Sequence, residues 1–364
     1  MKTGRTVQEL AAEITRQSKN KRDFVAQTRA AEPVLIENVP GIKLYTSDQA
    51  ENFGIMPVAH GQIASQAGIP WQYYQRMVAE KPELWQNSVT TWLGGSDEKR
   101  LIRTLDGQTR AWLSDRYRPL DNAELAEAAL PALIDVGAQI VSSEITDKRL
   151  YIKAVDPKIK GYIRTDGTHK FQDLGGDEII WGVCITNSEV GAGRLAVSTF
   201  CVRSVCTNGM IIESEFRKHH LGTRFGGGED GRADEYWRDD TRVASDKALF
   251  LQLRDAVAGA LTEEKMKFTL DKFSSAAERK ITGDVPKAVE VVSKQLGLGK
   301  TEQSSILSHL ISGGDLSAWG LANAVTRAAA DIPGYDRASE LEGAGMDVIE
   351  LSPSQWKMVA EASV

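Results

Sequence analysis

Cys206, His219, His220 and Asp115 are the residues of this chain whose types suit catalysis: a thiol nucleophile, two imidazoles for proton transfer and a carboxylate. Three of them fall between Arg194 and Arg224, a stretch that also carries Arg203, Arg217, Lys218 and Arg224. Cations at that density suit an anion, and a Cys–His pair suits nucleophilic chemistry. Adjacent His219 and His220 would face opposite ways on a strand, so at most one serves a given site. Cys201 and Cys206 have four residues between them and would need one of those histidines to complete a zinc site. With no further ligand spacing, no metal is expected. Gly191-Ala192-Gly193 lacks the third glycine of a dinucleotide fingerprint, and Gly226-Gly227-Gly228 is not followed by the residues of a phosphate loop. No cofactor is therefore expected.

A second constellation lies earlier. RLIRTL over 100–105 and TRAWLS over 109–114 alternate as strands around an Asp106-Gly107 turn. Arg103 and Leu105 fall on one face, and Arg110, Trp112 and Ser114 share one. With Arg116, Tyr117 and Arg118 following, the hairpin offers phosphate contacts beside a stacking platform, which is what single-stranded nucleic acid requires. The alternative is an amphipathic strand with a half-buried tryptophan.

Charge is unevenly spread. From Lys99 to Arg118 six bases face two acids, a net of +4. From Arg194 to Arg224 five bases face two acids, +3, whereas Ala328 to Val364 carries −5 in a chain of net −6. The whole-chain charge argues against a generic polyanion binder, but a basic middle and an acidic tail can coexist in one fold.

The elements that must position these residues read as follows. Residues 6–28 have the spacing of a surface helix at Val7, Leu10, Ala11 and Ile14, an arm of the kind that docks on a neighbouring copy. Two helical segments meet at Gly68-Ile69-Pro70, either as a helix-turn-helix or as a plain helical hairpin. SVTTWL over 88–93 alternates as a strand. Asp121 is placed to cap a helix over 123–136. AQIVSSEIT, RLYIKAV and EIIWGVCITNS follow as strands, and 195–205 is another. On that last strand Arg203 faces opposite to Val202 and Ser204 and needs an acceptor. Asn208-Gly209 is its turn signal, and Gly222 with Gly226 to Gly228 predicts a mobile loop. Beyond 239 the periodicity is helical, and Asn323, Thr326 and Arg327 put polar groups on an otherwise apolar helix. The fold class is thus α+β: a mainly antiparallel sheet with inserted helices, followed by a helical C-terminal region. The expected divisions are an N-terminal helical arm over 1–30, an α+β core over 31–231 and a helical region over 232–364.

At 364 residues, 41% hydrophobic and 26% charged, the composition is that of a soluble globular protein. Three cysteines, no apolar run of membrane length and no signal-peptide core give an expectation of a cytoplasmic chain, without disulfides and away from the membrane.

PVAHGQIASQAGIPWQYYQRM, the LSDRYRPLD segment, CTNGM followed by FRKHH, and WGLANAVTRAA together resemble phage- and plasmid-encoded proteins grouped as domain of unknown function 932. The resemblance implies a mobile-element origin and a host-cytoplasmic location. The strand-strand-strand-helix organisation also looks like that of ring-forming single-strand annealing proteins, at the level of fold analogy. The expected function is nucleic-acid binding, with single-stranded DNA foremost, as an oligomeric annealing or replication and recombination accessory factor. An enzyme using Asp115, Cys206, His219 and His220, or a host-factor-binding protein with an acidic DNA-mimicking surface, are the alternatives. Exposed sheet edges and the arm predict a homo-oligomer.

Overall fold

The computed structural model describes residues 1–45, 49–163, 169–170, 177–204, 207–218 and 239–363. It is α+β with strands that pair almost wholly antiparallel, as the patterning predicts. The strands form two six-stranded sheets.

The first sheet is built from β1 (Lys21–Gln27), β2 (Glu32–Ile36), β3 (Val39–Tyr45), β4 (Ala50–Ile55), β5 (Lys99–Leu105) and β6 (Gln108–Ser114), in the order β1-β5-β6-β4-β3-β2. Its tight turns follow from residues that accept positive φ: Asp106 and Gly107 at 50° and 75°, and Glu37 and Asn38 at 49° and 66°. Between β4 and β5 the chain makes α2 (Pro57–Gln66), α3 (Trp71–Glu80) and α4 (Pro82–Leu93). Gly68, at φ 65°, ends the first of these, and the expected α2–α3 hairpin follows. These helices bury Ile63, Tyr74, Trp85 and Val89 against Ile42, Phe53, Ile102 and Trp112 of the sheet.

Two local expectations fail here. Residues 88–93 are the end of α4 and not a strand. Pro82 opens that helix, and Trp85, Val89 and Leu93 fall at i, i+4 and i+8 on its buried face. Residues 6–28 are only half helical: α1 (Val7–Asn20) starts at a Thr6–Glu9 capping box and passes directly into β1. The N-terminal residues fasten onto their own chain, since Arg5 bridges to Ser143 while β1 pairs along its whole length with β5.

The second sheet, in the order β12-β11-β10-β8-β7, comprises β7 (Gln139–Ile145), β8 (Leu150–Ile163), β10 (Asp177–Asn187), β11 (Leu195–Arg203) and β12 (Asn208–Lys218), with the short β9 (His169–Lys170) on β8. The β11–β12 turn lies one step earlier than the Asn208-Gly209 signal. Asn208 already pairs with Arg203, and Thr207 takes the positive φ of 51°. Gly182 sits where the β8–β10 register shifts, and a Cβ there would lie 2.1 Å from the Ala154 carbonyl oxygen. The sheet packs with α5 (Asn122–Asp135), α6 (Asp239–Ala260), α7 (Glu263–Glu278), α8 (Val285–Gln295), α9 (Lys300–Gly313), α10 (Ala318–Ala328), α11 (Tyr335–Ile349) and α12 (Pro353–Ala360), which share the largest apolar cluster.

The acidic C-terminal stretch is no exposed tail. α11 buries Leu341, Val348 and Ile349, and its Glu342, fully buried, accepts from Lys153 of β8 at 2.5 Å. Lys153 also donates to Ser339 and lies 4.6 Å from the Tyr335 ring centre. Burial disfavours the ammonium, but the Glu342 carboxylate outweighs that and holds the Lys153 pKa above its ordinary value. Lys153→Met leaves a buried carboxylate unpaired and is expected to cost about 3–5 kcal/mol in denaturant unfolding. Adding Glu342→Leu should restore most of that loss, and a double variant as unstable as the single one would refute the pairing.

Candidate nucleic-acid interface

Arg103 and Arg110 were the leading phosphate contacts, and both point inward. The Arg103 side chain has no exposed surface. Its Nε and Nη2 donate to the two Asp23 oxygens at 2.9 and 3.0 Å, Nη2 also donates to Asp121 at 2.7 Å, and Nη1 donates to the Glu189 carbonyl at 2.9 Å. Arg110 does not share the Trp112 face as strict alternation predicts. The β5–β6 register shifts between Arg103, opposite Ala111, and Thr104, opposite Thr109, so Arg110 is the extra residue of a bulge. Its Nη1 reaches the Glu189 carboxylate at 2.8 Å. Glu189 also accepts from the Asn122 backbone N–H at 2.7 Å and so caps α5, the role expected of Asp121. The Asp121 carboxylate is instead taken up by Arg103 and Lys21.

The platform expected beside these arginines is also interior. Trp112 is buried with its indole N–H bonded to Gln66, and buried Tyr117 donates to the Ser188 carbonyl at 2.8 Å. Arg103, Arg110 and Tyr117 therefore tie the first sheet to the loop after β10, Trp112 is tied to α2, and all four are buried. Arg116 and Asp115 are exposed, and Arg118 is half-buried. Arg203 finds the acceptor it needed in Asp177. Arg217 is exposed near the far end of β12, paired in register with Ala196. Seven strand residues separate Ala196 from Arg203, roughly 23 Å. Lys218 lies in β12, but its side chain falls outside the described set. Cys206, His219, His220, Arg224 and the glycine-rich loop also lie outside the described residues. Cys184 and Cys201 are buried free thiols whose pKa burial pushes up to about 12, so neither is a ready nucleophile. Among the described residues no cluster of His, Cys, Asp or Glu could hold a metal.

Of the acids of the C-terminal stretch, Asp331, Glu340, Asp347, Glu350 and Glu361 are exposed and only Glu342 is buried. Asp336 accepts from Tyr151 and Thr146, Glu342 pairs with Lys153, and Glu350 pairs with Lys272.

The surface also presents aromatic rings. Tyr45, Trp71, Tyr73, Trp92 and Phe268 are the exposed aromatic residues among those described, and four of the five belong to the first sheet and its helices. Tyr45 and Lys43 stand on one face of β3 with the ammonium 4.9 Å from the ring centre. α3 buries only Tyr74 and Met77 and shows Trp71, Gln72, Tyr73, Gln75 and Arg76 to solvent. Behind it Trp71 stacks on Tyr74, whose hydroxyl meets His60 Nδ1 at 2.9 Å. Burial lowers the His60 pKa to about 4, so it is neutral and belongs to the packing of the aromatic box. None of these rings was singled out in the sequence as a stacking residue. The available signal was helical register: on α3 only Tyr74 and Met77 share the inward face, three residues apart.

Residues 1–120 hold 16 Lys and Arg against 13 Asp and Glu, +3, but that surplus comes from the +4 of Lys99–Arg118, whose Arg103 and Arg110 are buried and paired; the other residues of that part hold 10 bases against 11 acids. No family model matches the chain, and no curated protein or solved structure matches it either.

The buried tie has a pH signature. Burial raises the Asp121 pKa, but the charge and hydrogen bonds of Arg103 and Lys21 outweigh it and hold the carboxyl down at about 2. A depressed folded-state pKa contributes stability that is complete above the unfolded value near 4 and lost as pH falls towards 2. Asp121→Asn should flatten the acid limb of a stability–pH curve between those limits. An unchanged slope would show that Asp121 is not held this way. Arg103→Ala should cost about 3–5 kcal/mol in denaturant unfolding, against at most about 0.5 kcal/mol for exposed Arg116→Ala.

Proposed function

We propose that the protein binds single-stranded nucleic acid through the first sheet and its helices. The observation that carries this reading is the clustering of exposed aromatic side chains in the first sheet and its helices, which hold four of the five such rings among the described residues. Bases of any sequence stack on such rings, and surface Lys and Arg such as Lys43, Arg76 and Lys81 attract the backbone. The interface is thereby moved from the β5–β6 hairpin to Tyr45 on β3, Trp71 and Tyr73 on α3, and Trp92 on α4. The motif resemblance to phage and plasmid proteins agrees with an annealing or replication accessory role. Self-association fits the edge strand β1, which pairs only with β5 and carries Val25 65% exposed.

The test is anisotropy of labelled single- and double-stranded DNA and RNA, with mass by light scattering. Single strands are expected to bind, and affinity should fall linearly on a logarithmic scale as salt rises from about 50 to about 200 mM. Trp92→Ala, Trp71→Ala and Tyr45→Ala should each weaken binding by roughly tenfold or more where a base stacks, and Arg116→Ala by much less. Salt-independent binding, or full affinity in all three aromatic variants, would refute this interface.

A further inference from the structure

We propose that a second site, in the C-terminal half, binds a phosphate monoester. A cleft of about 50 Å³ opens where Arg203 and Asn208, paired across β11 and β12, meet α9 and one side of α10. Arg203, His309 and Arg327 reach it from three different elements, together with Asn208, Trp319 and Asn323. The hairpin is fixed against the helix here, because buried Asn208 donates its side-chain N–H to the Asn323 carbonyl and Asn323 donates to the Trp319 carbonyl.

Charge and size together select the ligand class. The cleft is lined by two guanidiniums and an imidazole against one carboxylate, Asp315, whose own counter-ion Lys280 lies 3.5 Å away. Asp177 holds Arg203, and Asp331 accepts from His309 Nε2 at 2.8 Å while also accepting from Ser305, so Arg203 and His309 are positioned by second partners. A volume of about 50 Å³ exceeds the roughly 30 Å³ share of one water but is far below the about 300 Å³ of a cofactor pocket. A terminal phosphate group fits where a sugar or base does not. A monoester, at −1.5 to −2 near neutral pH, also matches two guanidiniums better than a singly charged diester.

A monoester can come from the 5′ end of a strand or from a free mononucleotide. Calorimetric titration of the full chain with inorganic phosphate tests the site itself. A 5′-phosphorylated oligonucleotide, its 5′-hydroxyl twin and a nucleoside monophosphate then identify the source. Wild-type protein should bind phosphate. Arg327→Ala, at an exposed position near the end of α10, should weaken this by roughly ten- to a hundredfold, with Arg327→Lys intermediate. Asp315→Asn should tighten it by removing a like charge. Preference for the phosphorylated strand over its twin assigns the site to strand ends, and equal binding of the mononucleotide assigns it to free ligands. No phosphate binding by wild type, or undiminished binding by a folded Arg327→Ala protein, overturns the proposal. The 5′-hydroxyl strand reads the aromatic interface separately, so failure of one site is distinguishable from failure of the other.

Discussion

A guanidinium with no exposed surface stands where four segments of the chain meet. Arg103 belongs to β5, and its partners come from β1, from the residue before α5 and from the loop after β10. Removing such a charge from water costs several kcal/mol, and only complete pairing offsets it. The consequence is positional. Glu189 receives Arg103 on its carbonyl, Arg110 on one carboxylate oxygen and the first N–H of α5 on the other, so the two sheets and that helix share one anchoring residue. Gln62 and Arg149 grip the same loop through the Val190 and Ala192 carbonyls.

Much of the architecture was legible because it is local. Period-two patterns located β5, β6, β7, β8, β10 and β11, and Asp106-Gly107 fixed the hairpin by its need for positive φ. The failures also have local causes. Ser88 to Leu93 carries β-branched and aromatic residues in apparent alternation, and only the wider window from Pro82 exposes the four-residue period of Trp85, Val89 and Leu93. At Arg110 one inserted residue reversed the face, which a period-two argument cannot anticipate.

The candidate site was far less legible, and the reason is separation. The acceptors of Arg103 lie 80 and 18 residues away in sequence for its two carboxylates and 86 for the Glu189 carbonyl. Counting bases from Lys99 to Arg118 therefore gave a net of +4 to a stretch whose central charges are neutralised by distant partners. Glu342 was misread in the opposite sense for the same reason, since Lys153 stands 189 residues before it. Sequence charge predicts a field only for residues that remain in water.

Exposed rings are the better guide, because roughly half or more of each stays in water despite local partners such as Tyr74 for Trp71 and Lys43 for Tyr45. A buried arginine is explained once its acceptors are found, whereas Trp92, 67% exposed, forgoes roughly 2–3 kcal/mol of burial without a compensating contact. One such ring is ordinary. Tyr45, Trp71, Tyr73 and Trp92 within a single sheet and its helices form a pattern that packing does not require. Arg103 and Glu189 give that surface a fixed mounting on the second sheet, which carries the Arg203 cleft. Strand stacking and phosphate capture, as proposed, would then be separate events, and neither depends on the arginines that first drew attention to the hairpin.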